Sequence, residues 1–245
     1  MLGWRARAKS TLNSIARIFG ARVVGANWGP LGVVAALRRA KARGFAPAGV
    51  IDVGASNGQW TRECRTVYPE AQYLLIDPLD ANKPALAAMA KDETRLSVWS
   101  GAIGGAPGSL MLNCHGDQSS FFPSKDFLGS EKRVEVRTLD SFFPAGTTPS
   151  PLLIKADVQG YELEVLKGAT RCLEKTELLV LELSFRRYYD GGALAHEVVS
   201  YLGDRDFCIY DICTYIQRPA DNELVHADLM FVRRDSPLLS REGWF

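Results

Sequence analysis

Short apolar segments alternate with helical patterns along most of the chain. Runs typical of buried strands occupy residues 50–53, 73–76, 96–99, 152–154 and 178–183. Between most of these runs the pattern predicts helices over residues 59–67, 81–91 and 161–174. Strands that alternate with helices are joined by right-handed crossovers, so this order predicts an α/β fold whose mostly parallel sheet carries helices on both faces.

Two parts of the chain depart from this alternation. Residues 109–143 contain β-like pieces at 109–113 and 133–138 around a loop with Gly, Ser and Pro, which predicts an inserted β-hairpin and loop. Farther along, β-like segments at 207–212 and 228–232 follow each other with no helix between them. The sheet is therefore expected to end in an antiparallel pair.

The start of the chain is basic and amphipathic. Apolar residues recur at helical spacing through residues 1–26, and a second helix is predicted over 31–43, where Gly44 is placed to end it. No Asp or Glu precedes Asp52, whereas nine basic residues do: Arg5, Arg7, Lys9, Arg17, Arg22, Arg38, Arg39, Lys41 and Arg43. We therefore predict a basic helical N-terminal extension over residues 1–46 and a single domain over residues 47–245.

Three interpretations of the first helix stay open. Its basic face could contact a membrane surface or an anionic, lipid-linked substrate. It could instead pack on the domain with its arginines in solvent, as most amphipathic helices do. An Arg-rich start without acidic residues is also typical of an organellar transit peptide.

Composition limits the class of protein. With 245 residues, of which 47% are hydrophobic and 23% charged, the chain suits one globular domain. A net charge of +1 gives no whole-protein argument for nucleic acid as a partner. The five cysteines never form CxxC, so neither a disulfide framework nor a zinc site is expected, and a reducing cytoplasm fits best. No apolar run approaches the roughly 20 residues that span a bilayer, so any membrane contact is expected to be peripheral, at the inner face.

The first strand is followed by a glycine-rich turn in the segment VIDVGASNGQW, residues 50–60. Gly54 to Gly58 spell G-x-S-x-G, the pattern of a nucleophile elbow, in which Ser56 would be the nucleophile of a serine hydrolase. The same strand, turn and helix could instead bend around a cofactor. A dinucleotide fingerprint would need glycine at positions 56 and 59, where Ser56 and Gln59 stand, so a pyrophosphate cradle is disfavoured.

An acid at the end of the next strand favours the cofactor interpretation. Asp77 stands 23 residues after Gly54, where a carboxylate can accept hydrogen bonds from both hydroxyls of a ribose. S-adenosylmethionine is a ligand that such a turn and acid can bind without contacting phosphates. The hydrolase would need strands and an oxyanion loop before the elbow, and only helices are predicted there. The serine hydrolase remains an alternative because His196 and His226 follow the turn in the sequence. A nucleoside-binding module without catalysis is a second alternative.

A second segment is more specific than the glycine turn. The stretch KADVQGYE, residues 155–162, with LKGA at 166–169, resembles the K-x-D-x-x-G-x-E…L-K-G-A signature of FkbM-type methyltransferases. Together with VIDVGASNG and LLIDP, the resemblance covers roughly residues 51–184. It implies the class I, Rossmann-like methyltransferase fold and S-adenosyl-L-methionine as cofactor. It also implies O-methylation of a hydroxyl group on a sugar, a glycan or glycolipid, or another natural product.

The resemblance further implies which residues hold the cofactor. The methionine part would be surrounded by Asp52, Gly54, Ala55, Ser56, Asn57 and Gly58. The ribose would bind Asp77, with Pro78 beside it. The adenine would lie against Ser100, Gly101 and Ala102.

Three residues are candidates for the chemistry. Asp157 is expected at the cleft end of the fourth parallel strand, where a buried carboxylate is unfavourable unless a partner pairs with it. His115, in the inserted loop, is a candidate proton acceptor or partner of that acid. Glu182, at a neighbouring strand end, would join Asp157 if a divalent metal acidified the acceptor, but two oxygen ligands are few for an octahedral ion, so no metal is expected. The acceptor is expected to be a hydroxyl-bearing small molecule or glycan.

Overall fold

The computed structural model describes residues 32–125 and 129–239. Its helices, in chain order, are α1 (Val33–Ala42), α2 (Gln59–Val67), α3 (Lys83–Ala90), α4 (Glu162–Lys167), α5 (Thr170–Lys175) and α6 (Ala195–Gly203). A short 3₁₀ helix spans Leu139–Phe142. Its strands are β1 (Gly49–Val53), β2 (Gln72–Ile76), β3 (Leu96–Trp99), β4 (Ala102–Ile103), β5 (Gly108–Cys114), β6 (Ser130–Arg137), β7 (Leu152–Ala156), β8 (Thr176–Ser184), β9 (Phe207–Gln217) and β10 (Leu224–Arg233).

The larger of two sheets contains seven strands in the order β3-β2-β1-β7-β8-β10-β9. The strands from β3 to β8 run parallel, whereas β10 is antiparallel to both β8 and β9. This order confirms the predicted mostly parallel, Rossmann-like sheet that ends in an antiparallel pair. The strand order reverses between β1 and β7, and in open α/β sheets a ligand binds in the crevice at such a point.

Each strand of this sheet places alternate side chains on opposite faces. In β1, Val50 packs on the face that α1, α2 and α3 cover, and Ile51 packs on the face that α4, α5 and α6 cover. Both side chains are buried, which explains why the strand is a continuous apolar run in the sequence. The structure thus confirms the prediction of helices on both faces.

The single helix predicted over residues 161–174 is wrong, because the chain forms two helices, α4 and α5, on either side of Gly168. The backbone of Gly104 approaches so closely there that a Cβ on Gly168 would overlap its carbonyl oxygen. The carboxylate of Asp140 accepts the main-chain N–H groups of Arg171 and Cys172, each at 2.9 Å, and so satisfies donors in the first turn of α5. Tertiary contacts thus override a continuous helical pattern.

The insertion after β3 forms a small separate sheet in the order β4-β6-β5. β5 and β6 pair antiparallel, which confirms the predicted hairpin, and the two-residue β4 runs parallel to β6. The loop that follows β5 turns back to the central sheet, where the Ser120 hydroxyl donates a hydrogen bond to the carbonyl of Gln159 at 2.8 Å. The hairpin therefore brings its loop to the segment that follows β7.

The helix predicted over residues 1–26 lies outside the described residues, and its contact with a membrane stays a prediction. The second predicted helix is confirmed as α1. Leu37 of α1 is fully buried, its main-chain oxygen accepts the Tyr68 hydroxyl at 2.8 Å, and Arg39 pairs with Asp211 of β9. The boundary expected between residues 46 and 47 stays a prediction. Within the two described ranges, no helix combines the length and apolar character that crossing a bilayer requires.

Candidate active site

A cavity of about 350 Å³ lies at the carboxyl ends of β1, β2, β7 and β8. The turns that follow β1, β2 and β7 line it, together with Glu182 of β8 and the inserted loop from Gly116 to Ser119. The cavity is located where the strand order reverses, as expected for a ligand site in an open α/β sheet. Most residues that the resemblance assigns to the cofactor line this cavity, and so do Asp157 and Glu182.

The turn after β1, residues 54–58, allows the chain to pass close to the end of β7. Gly54 has a left-handed φ of 76°, and a Cβ at this position would overlap the carbonyl oxygen of Asp157. The Gly54 N–H donates to the carbonyl of Ile76 at 2.9 Å, and its own carbonyl accepts a hydrogen bond from Lys155 Nζ at 2.8 Å. Glycine alone fits both the φ and the close approach, so Gly54 sets the geometry of this wall.

The rest of this glycine turn divides into lining and supporting residues. Ala55, Ser56 and Asn57 line the cavity, whereas Gly58 is the N-cap of α2 and does not. The Ser56 hydroxyl donates to Asp117 Oδ1 at 2.9 Å and so ties the turn to the inserted loop. A serine nucleophile would instead give its proton to a histidine base, so this geometry does not match the serine-hydrolase alternative.

Asp77 directly follows β2 and presents a buried carboxylate to the cavity, with Pro78 beside it. Its Oδ2 accepts the Ser56 N–H at 2.8 Å, and its Oδ1 accepts the Leu79 N–H and Asn82 Nδ2, both at 2.9 Å. Burial raises the pKa of Asp77, and these three hydrogen bonds oppose the shift. A carboxylate has about four lone-pair sites, so one is left on Oδ2 for a ribose hydroxyl.

Asn82 also lines the cavity and can serve the second ribose hydroxyl through its amide. No sequence pattern singled out this residue, which falls inside the helix predicted over residues 81–91. In the structure it is the N-cap of α3, and its side chain bonds Asp77 and makes no capping hydrogen bond. Asp77 and Asn82 together form a candidate ribose site.

The cavity is lined by two of the three residues expected beside the adenine, which are Ser100, Gly101 and Ala102. Gly101 and Ala102 line it, whereas Ser100 is exposed and does not. A Cβ on Gly101 would overlap the ring of Trp99, which packs edge-on against Phe142 with 5.1 Å between ring centroids. The indole therefore supports the Gly101 wall from outside the cavity lining.

Asp52 does not line the cavity, although the resemblance implies a place beside the cofactor. Its carboxylate is fully buried, lies 3.2 Å from Lys155 Nζ and accepts the Thr61 hydroxyl at 2.6 Å. Lys155 Nζ also lies 3.7 Å from Asp157 Oδ2. Burial opposes the charge of Lys155, but the two carboxylates prevail and raise its pKa. Asp52 thus fixes the lysine that braces both the glycine turn and Asp157.

Gln159, which the sequence analysis did not single out, joins Asp157 to Glu182. Its Nε2 donates to Asp157 Oδ1 at 3.0 Å and to Glu182 Oε2 at 2.9 Å. Gln159 is 7% exposed and has a left-handed φ of 53°, which is uncommon for a residue with a long side chain. Neither this φ nor the contact with β8 is visible in the local sequence, where Gln159 is only the second residue after Asp157.

The surroundings of Glu182 favour its protonated form. Burial raises the pKa of Glu182 well above its ordinary value, and the carboxylates of Asp157, Asp228 and Glu162 raise it further. His226 Nδ1 lies 3.9 Å from Glu182 Oε1, but burial lowers the pKa of His226 and disfavours its cationic form. Glu182 is therefore the acid of this cluster whose protonated form is favoured, and Asp157 is the acid that lies beside Lys155.

The metal alternative named the same two acids, Asp157 and Glu182. One oxygen of each acid accepts a hydrogen bond from the Gln159 side-chain amide. In the part of the chain that the structure describes, no group of three or more His, Cys, Asp or Glu side chains is arranged to hold a metal ion.

His115 does not reach the cavity lining. It is exposed, whereas the next four residues of its loop line the cavity. Its main-chain N–H donates to the Ser119 hydroxyl at 2.8 Å, a bond that folds the loop on itself. The role of His115 as a proton acceptor stays a prediction that this geometry does not favour.

Known methyltransferases are similar to this chain. The Methyltransferase FkbM domain matches residues 52–209. The hexuronic acid methyltransferase AglP of Haloferax volcanii is 29% identical over 91 residues, which cover 34% of this chain and 38% of that relative, so the match spans well under half of the relative's length.

Solved structures are similar at lower identity. The methyltransferase FkbM from Methylobacillus flagellatus KT has 20% identity and a TM-score of 0.49, over 76% of this chain and 44% of that chain. The 1,6-didemethyltoxoflavin-N1-methyltransferase of Burkholderia thailandensis has 12% identity and a TM-score of 0.49, over 95% and 89% of the two chains. The family match covers more than half of the chain and includes the glycine turn, Asp77, Asp157 and Glu182. The chain therefore belongs to the FkbM methyltransferase domain family.

Proposed function

We propose that the protein is an S-adenosylmethionine-dependent O-methyltransferase that acts on a hydroxyl group of a sugar, a glycan or glycolipid, or another natural product. One observation carries the proposal: a single cavity is lined both by the ribose-type pair Asp77 and Asn82 and by the braced carboxylate of Asp157. A nucleoside cofactor and a proton acceptor would therefore meet in one site. Membership of the FkbM methyltransferase domain family supports the same reaction.

The residues present fit the cofactor. Gly54 keeps the turn open where a side chain would overlap backbone, and Asp77 retains an acceptor site for a ribose hydroxyl. When bound, S-adenosylmethionine supplies a methyl group on a positively charged sulfur. Asp117 and Asp157 line the cavity with charge of the opposite sign, which favours a cation there.

Asp157 is the residue that we assign to the acceptor hydroxyl. Its side chain is 36% exposed, against 19% for Glu182, so it is the more accessible of the two acids. Lys155 and Gln159 hold its two carboxylate oxygens. In this role Asp157 accepts a hydrogen bond from the hydroxyl, aligns its oxygen for the displacement and takes the proton as the methyl group is transferred.

The charge of the lining supports an uncharged acceptor. Among the described residues that line the cavity, Lys155 is the one basic side chain, and it is already paired with Asp52 and Asp157. An acceptor with a free carboxylate would meet this acidic lining without a cation to bind it. The relative AglP is named for a hexuronic acid, which supports a sugar-like acceptor. The acidic lining favours methylation of a hydroxyl on a sugar without a free carboxylate.

The experiment that tests this function uses methyl-labelled S-adenosylmethionine with a panel of neutral hexosides, hexuronic acid glycosides and phenolic natural products. Mass spectrometry before and after mild alkali separates methyl ethers, which survive, from methyl esters, which are cleaved. We expect an alkali-stable product. Label that is found only in alkali-labile products would contradict the hydroxyl assignment, and cofactor binding without transfer to any acceptor would favour the nucleoside-binding module.

Asp157→Asn tests the assigned residue in the same assay. With the cofactor saturating, the variant should lose roughly 10²- to 10⁴-fold in rate, the usual contribution of a general base. Asp92→Asn is the matched control, because Asp92 is exposed and has a φ of 60°, which asparagine tolerates. Near-wild-type turnover of Asp157→Asn would show that the acid is only structural.

A further inference from the structure

Both N–H donors of the Gln159 side-chain amide are taken up by the two acids of the cavity. Both of its N–H bonds are directed to carboxyl oxygens, one on Asp157 and one on Glu182, at 3.0 and 2.9 Å. An amide nitrogen has two donors and no acceptor site, so this group can only link acceptors. The link joins one acid that follows β7 to one acid of β8.

Four further hydrogen bonds hold the side chain and the main chain at Gln159. Tyr189 places its hydroxyl 3.1 Å from Gln159 Oε1, so it can donate to the amide oxygen. The Ser120 hydroxyl donates to the main-chain carbonyl of Gln159 at 2.8 Å. Glu162 Oε1 accepts the N–H groups of Val158 and Gly160 on either side, at 2.9 and 3.3 Å. The left-handed turn at Gln159 is thus held by its neighbours, and the amide donors face the acids.

The charges around Glu182 do not balance if every acid is ionised. Asp157, Asp228 and Glu162 face it, as do the buried imidazole of His226 and the hydroxyl of Tyr189. Lys155 is the cation of this group, and it is shared between Asp52 and Asp157. Two adjacent carboxylates that share a site cannot both ionise easily, so one of them keeps a proton.

We propose that Gln159 is a positioning residue that holds Asp157 and Glu182 as a pair with one proton between them, Asp157 being the ionised member. The catalytic role of the pair rests on the proposed methyl transfer, whereas the presence of the pair does not. In the reaction, the O–H bond of the acceptor breaks and its proton joins a carboxylate oxygen of Asp157. Glu182 keeps its own proton, so the pair ends with two protons and no charge.

Carbon-13 NMR of the side-chain carboxyl groups tests the pair directly, on the full chain without cofactor or acceptor. The Glu182 resonance is assigned by its absence in Glu182→Gln, and its pH titration is followed in wild type and in Asp157→Asn. Removal of the neighbouring charge should lower the proton affinity of Glu182 by about tenfold or more. An unchanged titration would overturn the pair.

Gln159→Gly then tests the positioning role. Glycine suits the left-handed φ and removes the whole side chain, including the amide, while the main-chain carbonyl that Ser120 contacts is kept. In this background, Asp157→Asn should change the proton affinity of Glu182 by less than about threefold, because the two acids are no longer held together. An equal effect of Asp157→Asn in both backgrounds would show that Gln159 does not position the pair.

Tyr189→Phe is a second variant that keeps the ring and the glutamine. It removes the hydroxyl at the amide oxygen, so the coupling of Glu182 to Asp157 should fall to a value between those of wild type and Gln159→Gly. This variant decides the case if Gln159→Gly does not fold, and full coupling in Tyr189→Phe would then contradict the positioning role of the Gln159 amide. Calorimetry with S-adenosylmethionine is run in parallel, because failure to bind it would refute the proposed function and leave the acid pair standing.

Discussion

Two parts of the same cavity are built in different ways. The glycine turn, residues 54–58, and Asp77 meet through main-chain groups: the Ser56 and Leu79 N–H groups reach the Asp77 carboxylate, and Gly54 bonds Ile76. The acid cluster of Asp157, Gln159 and Glu182 meets through side chains alone. Backbone geometry of this kind is recognisable in the local sequence. A side-chain cluster depends instead on how strand ends that are separated in the sequence come together.

The two parts also differ in the groups that surround their carboxyl side chains. The Asp77 carboxylate accepts three hydrogen bonds that oppose the effect of its burial. In the acid cluster, neighbouring carboxylates add to the effect of burial on Glu182, and one lysine is shared with buried Asp52. We therefore expect substitution at the turn to act through steric overlap and substitution near the cluster to act through charge and pH.

The largest effect is expected at the glycine turn. Gly54→Ala places a Cβ over the Asp157 carbonyl at a left-handed φ, and this main-chain group cannot move aside as a flexible side chain could. The variant should lose cofactor binding in calorimetry and more than about 4 kcal/mol of stability in chemical denaturation. Gly108→Ala is the control, because a Cβ there meets nothing within 4 Å, and it should match wild type. A stable, cofactor-binding Gly54→Ala would refute the close-approach account.

The next effect tests the lysine that joins the two parts. Lys155→Met leaves the Asp52 carboxylate buried without its cation and removes the hydrogen bond to Gly54, so about 3–5 kcal/mol of unfolding free energy should be lost. Lys167→Met, at an exposed pair with Glu164, should lose less than about 1 kcal/mol. Equal losses measured by urea denaturation would mean that the buried ion pair has no special role.

A smaller, pH-dependent effect is expected at the acid cluster. Because the pKa of Glu182 is raised from 4.5 to about 9, the folded state keeps a proton that the unfolded chain loses. The stability from Glu182 is therefore full below pH 4.5 and is lost as the pH rises toward about 9. Glu182→Gln should make the decline in stability between pH 6 and 8 smaller by about 2 kcal/mol. A residual slope should remain, because burial also raises the pKa of Glu162 to about 7.

Glu174→Gln, at an exposed position of α5, is the control for this pH series and should decline as wild type does. Thermal unfolding at several pH values between 5 and 9 provides the measurement. If Glu182→Gln and wild type decline in parallel, Glu182 carries no extra proton in the folded state and the acid pair is wrong as well.

The sequence predicted the fold and the backbone part of the site for a physical reason. Buried strands of a parallel sheet are continuous apolar runs, and a turn that needs Gly54 and Gly58 shows its glycines directly. Asp77 could be located because it follows a strand by one residue. These features depend on residues that are neighbours in the chain.

For the side-chain part of the site, the sequence predicted the two acids but not the residue that connects them. Asp157 and Glu182 were identifiable as acids at strand ends, but Gln159 has no local signal for its left-handed φ or for its contact with β8. His115 was a candidate by residue type, and the loop places its neighbours in the cavity instead. The break at Gly168 was invisible for the same reason, since it depends on the approach of Gly104.

Calorimetric titration with S-adenosylmethionine of wild type, Asp77→Ala and Ser56→Ala tests the central claim most directly. Wild type should bind, and Asp77→Ala should weaken binding by about 30-fold or more, because hydrogen bonds to a charged group contribute roughly 1.5–3 kcal/mol each. Ser56→Ala keeps the N–H that Asp77 accepts and should change the affinity by less than about threefold. Absence of binding by wild type, or a loss in Ser56→Ala as large as in Asp77→Ala, would contradict the account.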